Sequence, residues 1–213
     1  MPKLTPSQQA ERRSHILAAA EVCFARHGFH GTTMKSICQE AGISPGALYL
    51  YFDSKEALIE GLVEQERDGV LASFARMRLA PNLVAGMESC MENCVLGQSP
   101  TKIALYLEVV AESMRNPAVR LVLERFDRAI RQELTSFLQS AKDAGKFVGD
   151  VSVDAAAEAM GLIVDGLMLR RAINPKLDAP LLANLLFSSL NIISDAPFDS
   201  DLREKSQILE HVA

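Results

Sequence analysis

Residues Ala41-Gly42-Ile43-Ser44-Pro45 set a helix stop directly against a helix start, which narrows the possible fold more than any other run in the chain. Gly42 falls where a sharp turn needs a residue that tolerates positive φ. Ser44 and Pro45 form an N-cap and first-turn proline that open a second helix. Upstream, Thr33 is placed to cap a short first helix whose Ile37 and Ala41 face inward, and Ile43 lies beneath the turn. Leu48 and Phe52, four apart, share the inner face of the second helix, whose leading end carries the small Gly46 and Ala47 where a backbone can approach a groove. Tyr49 and Tyr51 project on other faces. Lys55 opens the following helix, where an ammonium and N-terminal N–H groups favour a phosphate. The pattern predicts a helix-turn-helix that touches DNA through Thr33, Lys35, Ser44, Pro45, Gly46, Ala47, Tyr49, Tyr51 and Lys55.

Helical signals continue to the end of the chain and strand signals are nearly absent, so the expected class is all-α. Thr5-Pro6-Ser7-Gln8 reads as a capping box opening a helix that ends at Gly28. Asp53-x-x-Glu56 reads as a second box, starting a long helix through about Met77. Pro81 is expected to open a helix to about Leu96. Asn116-Pro117 stops one helix and caps the next, which keeps its apolar spacing from Val119 to Ala141 before Gly145. After a 145–153 loop, helices near 154–173 and 179–194 are separated by Asn174-Pro175, and the polar residues from Asp195 onward carry no structural signal.

The first quarter of the chain closely resembles the tetracycline-repressor (TetR) family of bacterial transcription regulators. The resemblance is carried by Ile16-Leu17-x-x-Ala20-x-x-x-Phe24-x-x-x-Gly28, Gly28-Phe29-x-x-Thr32-Thr33, Ile37-x-x-x-Ala41-Gly42-Ile43-Ser44-x-Gly46, Leu48-Tyr49-x-Tyr51-Phe52 and Ser54-Lys55-Glu56-x-Leu58. Tyr51 stands where that family often has His, and both side chains can donate to a phosphate. Further on, the likeness rests on Arg115-Asn116-Pro117 and Val164-Asp165-Gly166-Leu167. The resemblance implies an N-terminal three-helix DNA-binding domain over 11–71, including the start of a linker helix. It is joined to a larger helical ligand-binding and dimerisation domain over 72–213. It also implies that the first half of the recognition helix contacts bases while Thr33, Tyr51 and Lys55 hold the backbone.

Charge agrees with that division. Residues 1–55 hold six Lys and Arg against four Asp and Glu, whereas the remainder holds 16 against 23, so a mildly positive head sits on an acidic body. The start of the chain leads directly into polar sequence without a signal peptide, and the longest apolar run, near 181–193, is too short to span a bilayer; the expectation is a cytoplasmic protein without membrane contact. Cys23, Cys38, Cys90 and Cys94 lie in apolar helical contexts and read as buried thiols. Cys90 and Cys94, four apart, leave open a metal or redox pair. No cofactor and no structural metal are implied.

An enzyme would need a nucleophile with its base, a carboxylate pair or a ligand set. His15, His27, His30 and His211 are confined to head and tail, and Glu108 and Glu112, one turn apart, are either a carboxylate pair or a solvated helix face. The large body instead suggests a sensor. Phe74, Met77, Met87, Met91, Tyr106, Met114, Phe126, Met160 and Met168 supply thioethers and rings suited either to plain core or to a pocket for a small apolar or aromatic effector. Small residues in 154–173 and leucines in 179–194, Leu185 among them, suit either an internal hairpin or a two-fold four-helix interface, and the family resemblance favours the homodimer. Together these features predict a repressor released from a palindromic double-stranded operator by a ligand. The helix from Asp53 would couple the two, since Phe74 and Met77 lie about 30 Å along it from Lys55 at ~1.5 Å per residue.

Overall fold

The computed structural model describes residues 5–79, 83–145 and 151–190, and every regular element among them is helical. In chain order these are α1 (Pro6–Gly31), α2 (Met34–Ala41), α3 (Pro45–Tyr49), α4 (Lys55–Arg78) and α5 (Leu83–Met91), the last continuing into a π-turn over Glu92–Leu96. They are followed by α6 (Pro100–Ser113), α7 (Pro117–Asp143), α8 (Val153–Ile173) and α9 (Ala179–Leu190). The expected helix start at Pro81, most of the 145–153 loop, the end of the last helix and the polar tail lie outside the described residues.

Capping chemistry sets most of the boundaries. Thr5 accepts from the Gln8 N–H at 3.3 Å while the Gln8 side chain accepts from the Thr5 N–H at 2.9 Å, the reciprocal box expected from the sequence. Asn116 accepts from the N–H groups of Ala118 and Val119 at 3.2 and 3.5 Å, with Pro117 as the first residue of α7.

Two expectations shift. Gly28 does not end α1; it takes φ 69° as a kink, and helix resumes to Gly31. The cap of α4 is Ser54 rather than Asp53, its hydroxyl accepting from the Ala57 N–H at 3.1 Å, and the Glu56 carboxylate accepts instead from the Asn116 amide at 3.1 Å.

The helix after α5 also departs from α geometry. The Gly97 N–H donates to the Glu92 carbonyl at 2.7 Å, five residues back, and a Cβ at Gly97 would come within 2.9 Å of that same oxygen, so glycine alone closes this turn without displacement. Arg171 from α8 donates to the Val95 carbonyl within the turn.

Two compact units result. Among the described residues, one takes those up to Asp68 together with Gln98–Arg128; the other takes those within Gly69–Gly97 and those from Ala129 onward. The first unit is built on Ile16, Leu17, Phe24, Ile37, Leu48 and Leu58, each at most 1% exposed, with Val109 of α6 and Val119 of α7 closing the same core. Each such side chain contributes roughly 1.5–3 kcal/mol on burial. Within this unit Arg13–Glu64, Lys102–Glu66 and Arg125–Glu60 pairs, at 3.3, 2.5 and 2.6 Å, tie α1, α6 and α7 to α4. All are part-exposed and worth about 1 kcal/mol or less each. The second unit packs Phe74, Met77, Phe137, Leu138, Val153 and Met160 around its own core.

Candidate nucleic-acid interface

The α2–α3 pair is fixed by local bonds at every boundary. Thr33 accepts from the Ser36 N–H at 3.0 Å and the Ser36 hydroxyl in turn accepts from the Thr33 N–H at 3.0 Å, closing the start of α2. At its other end Gly42 has φ 62° and donates to the Gln39 carbonyl at 3.2 Å, while Ile43 donates to Cys38 at 3.0 Å, a Schellman closure that requires a left-handed residue at position 42. Ser44 then accepts from the Ala47 N–H at 3.2 Å and α3 begins. His15 of α1 donates through Nε2 to the Ala41 carbonyl at 2.9 Å, anchoring the end of α2.

Leu48 and Phe52 are buried as expected, and Ile43 packs half-buried against the same core. Thr33, Lys35, Ser44, Pro45, Gly46 and Tyr49 are exposed, with Ala47 half-buried between them. A Cβ on Gly46 would meet nothing within 4 Å, so no contact inside the chain demands glycine there. Leu50 was not singled out from the sequence. It is 84% exposed at the end of α3, and the inner pair Leu48 and Phe52 already implied that the residue between them points away from the core.

Tyr51, expected to project on another face, does not, and Lys55 has a partner inside the chain. Tyr51 is half-buried and packs against the first core. Lys55 donates its ammonium to the Phe29 carbonyl and lies over the Phe29 ring at 4.1 Å from the centroid.

The N–H of the same residue donates to Glu108 Oε1 at 2.5 Å, so the two peptide groups flanking the Phe29 Cα, beside the Gly28 kink, are held by a carboxylate on one side and an ammonium on the other. Glu108 is therefore no solvated residue. Nor is Glu112: only 2% exposed, it accepts from Arg115 Nε at 2.7 Å and lies 3.1 Å from His30 Nε2, which brings a histidine of the head onto a helix from the middle of the chain. Burial also pushes the Cys23 thiol up, in the same core.

The residues expected to line an effector site divide between the units. Phe74, Met77, Met87 and Met160 come together in the second core; Met168 is buried and Met91 half-buried elsewhere in the same unit. Tyr106, Met114 and Phe126 belong to the first unit, and Met114 is 75% exposed at the end of α6.

A short capped helix pair on a three-helix head, followed by a helical body, defines a helix-turn-helix transcription regulator. Residues 16–62 match the model for bacterial regulatory proteins of the tetR family, and residues 88–190 match that for the C-terminal part of BetI-type transcriptional repressors. The chain belongs to the TetR family of DNA-binding transcriptional regulators, not to an enzyme class. It is 34% identical to the HTH-type transcriptional regulator UidR of Escherichia coli K12 over 144 residues, 66% of this chain and 71% of that protein. Among solved structures, Salmonella enterica GusR superposes with a TM-score of 0.71 at 32% identity, covering 88% of this chain and 98% of that one. The SmeT–triclosan complex, at 20% identity and a TM-score of 0.75 over 89% of this chain and 96% of that one, shares the fold. No described helix is long and apolar enough to cross a membrane.

Proposed function

We propose that this protein is a cytoplasmic homodimeric repressor that holds a palindromic duplex operator and leaves it when a small apolar or aromatic molecule binds among the helices of its body. The observation that carries the DNA half is the fully capped α2–turn–α3 unit presenting Lys35, Ser44, Pro45, Gly46 and Tyr49 to solvent. Working functionally, residues 11–71 would serve DNA and 72–213 ligand and dimerisation. Recognition helices related by a two-fold axis would enter major grooves ~34–36 Å apart or a multiple of that spacing. A gel-shift titration of promoter fragments against random duplex tests this: binding without preference for any fragment defeats it.

Two variants refine the site. Gly46→Ala adds a methyl where the chain itself leaves room, so stability should hold or rise by ~0.4–1 kcal/mol while operator affinity falls; unchanged affinity would remove Gly46 from the interface. Lys55→Ala should lower the slope of log affinity against log salt by about 1.8 per dimer, from two phosphate contacts at ~0.9 each. It should also lower the melting temperature, because the Phe29 carbonyl loses its donor. A fall in stability with an unchanged slope would assign Lys55 to the fold alone.

Dimerisation is supported by a stripe on α8 in which Leu162, Leu169 and Ile173, spaced seven and four apart, are 64, 47 and 63% exposed. The effector half is supported by the second core, where Phe74, Met77, Met87 and Met160 meet, and SmeT, a neighbour in fold, is seen in complex with triclosan. α4 contributes Leu58, Ile59 and Leu62 to the first core and Phe74 and Met77 to the second, so one helix has a stake in both. A hundredfold loss of operator affinity requires the effector to favour the non-binding state by about 2.7 kcal/mol. A thermal-shift screen of lipophilic compounds followed by operator titration with each hit tests the induction step: stabilising hits that leave DNA affinity unchanged would refute it.

A further inference from the structure

Cys23 and Cys38 are buried in the first core, whereas Cys90 and Cys94 are each half-buried and their sulfurs lie 3.8 Å apart across the junction of α5 and the π-turn. The junction is built: Gly97 closes it where no side chain fits, and Arg171 holds its Val95 carbonyl. A centre bonded to two sulfurs at ~2.3 Å each spans about 3.3 Å at a right angle and about 3.8 Å at a tetrahedral one, so a few tenths of an ångström of side-chain adjustment lets this pair grip a pyramidal centre. A direct disulfide fits less well. Residues four apart on a helix hold their Cβ atoms ~5–6 Å apart, and a disulfide needs ~3.5–4.5 Å.

Among the described residues no group of three or more His, Cys, Asp or Glu is placed to hold a metal ion, so a centre bound by this pair must bring its remaining substituents with it. We propose that Cys90 and Cys94 form a dithiol site for trivalent organoarsenicals, whose three-coordinate arsenic takes two protein sulfurs and keeps its own carbon substituent. The step is a condensation. A hydrated arsenical R–As(OH)2 and two thiols give R–As(S-Cys)2 and two waters: two As–O bonds break, two As–S bonds form, the thiol protons leave with the hydroxides, and no electrons are transferred. The thiol–thiol hydrogen bond with Cys94, and then burial, push the Cys90 thiol far above its ordinary range. That disfavours thiolate chemistry such as peroxide attack at Cys90; the site rests on the placement of the two sulfurs. Cys90 packs against the second core, an apolar setting that suits a carbon substituent on the arsenic. The site stands independently of the effector reading above.

The test uses the full chain with phenylarsine oxide. Intact mass should show one phenylarsenic per chain with loss of water, stable to excess monothiol and removed by a small dithiol. Maleimide mapping of the wild type should show Cys90 and Cys94 protected together. Cys90→Ser and Cys94→Ser should each lose the monothiol-resistant adduct, and the wild-type mapping decides if either variant folds poorly. An adduct that survives in either folded single variant, protection falling on Cys23 or Cys38, release by monothiol, or a Cys90–Cys94 disulfide formed in place of the adduct would overturn the proposal.

Discussion

Leu169→Arg is expected to convert the proposed dimer to monomers and to abolish operator binding with it. Leu169 sits in the middle of the exposed α8 stripe between Leu162 and Ile173, so within its own subunit the substitution replaces a solvent-facing leucine and should leave the fold intact. Across a two-fold interface the same arginine meets its symmetry mate and the partner's apolar stripe. Leaving such a charge buried and unpaired costs about 3–5 kcal/mol, or roughly 10²–10⁴ in association. Sedimentation velocity at micromolar concentration reads the change, with helical circular dichroism as the check on folding. Leu185 is a poorer probe because it is already half-buried inside its own subunit, so a charge there disturbs fold and association together. A variant that stays dimeric and binds operator normally would move the interface off this face of α8.

Glu108→Ala is expected to cost about 2 kcal/mol and so to lower the melting temperature by roughly 4–8 °C. The 2.5 Å bond from the Phe29 N–H is charge-assisted, and its loss leaves a donor beside a buried ring without its acceptor. Glu108→Gln retains a carbonyl acceptor and should recover part of the loss. Because the carbonyl of the same residue, in the next peptide group, receives Lys55, Glu108→Ala should shift the start of α4 and weaken operator binding by more than the stability change explains. A melting curve and an operator titration on both variants separate the outcomes. Equal effects of Ala and Gln would mean that the acceptor is not what matters at position 108.

How far the sequence could be read depended on the range of each interaction. The caps at Thr5, Thr33, Ser44 and Asn116 and the left-handed Gly42 are settled within five residues of themselves, and the structure has each where local chemistry puts it. Gly28 reads locally as a stop because a glycine ends helices by default; the kink found there goes with Glu108, a partner far along the chain that no local pattern announces. The same distance hid the pairing of His30 with Glu112 and of Lys55 with Phe29. The π-turn escaped for another reason: Glu92–Leu96 has the composition of an ordinary helical turn, and only the close approach at Gly97 distinguishes it. For the effector, residue type alone could not separate core from lining, so Met114, chosen as a thioether, proves to be a surface residue.

The closed bonding of residues 33–48 bears on the thermodynamics of operator recognition. A helix pair whose ends are already satisfied by Ser36, Thr33, Gly42 and Ser44 has little backbone left to order when a duplex arrives. Association should therefore show a heat-capacity change that tracks the area of the contact alone, without the additional burial that accompanies folding on binding. Much of the free energy of the protein–DNA contact would then appear as affinity instead of being consumed in forming the reading head.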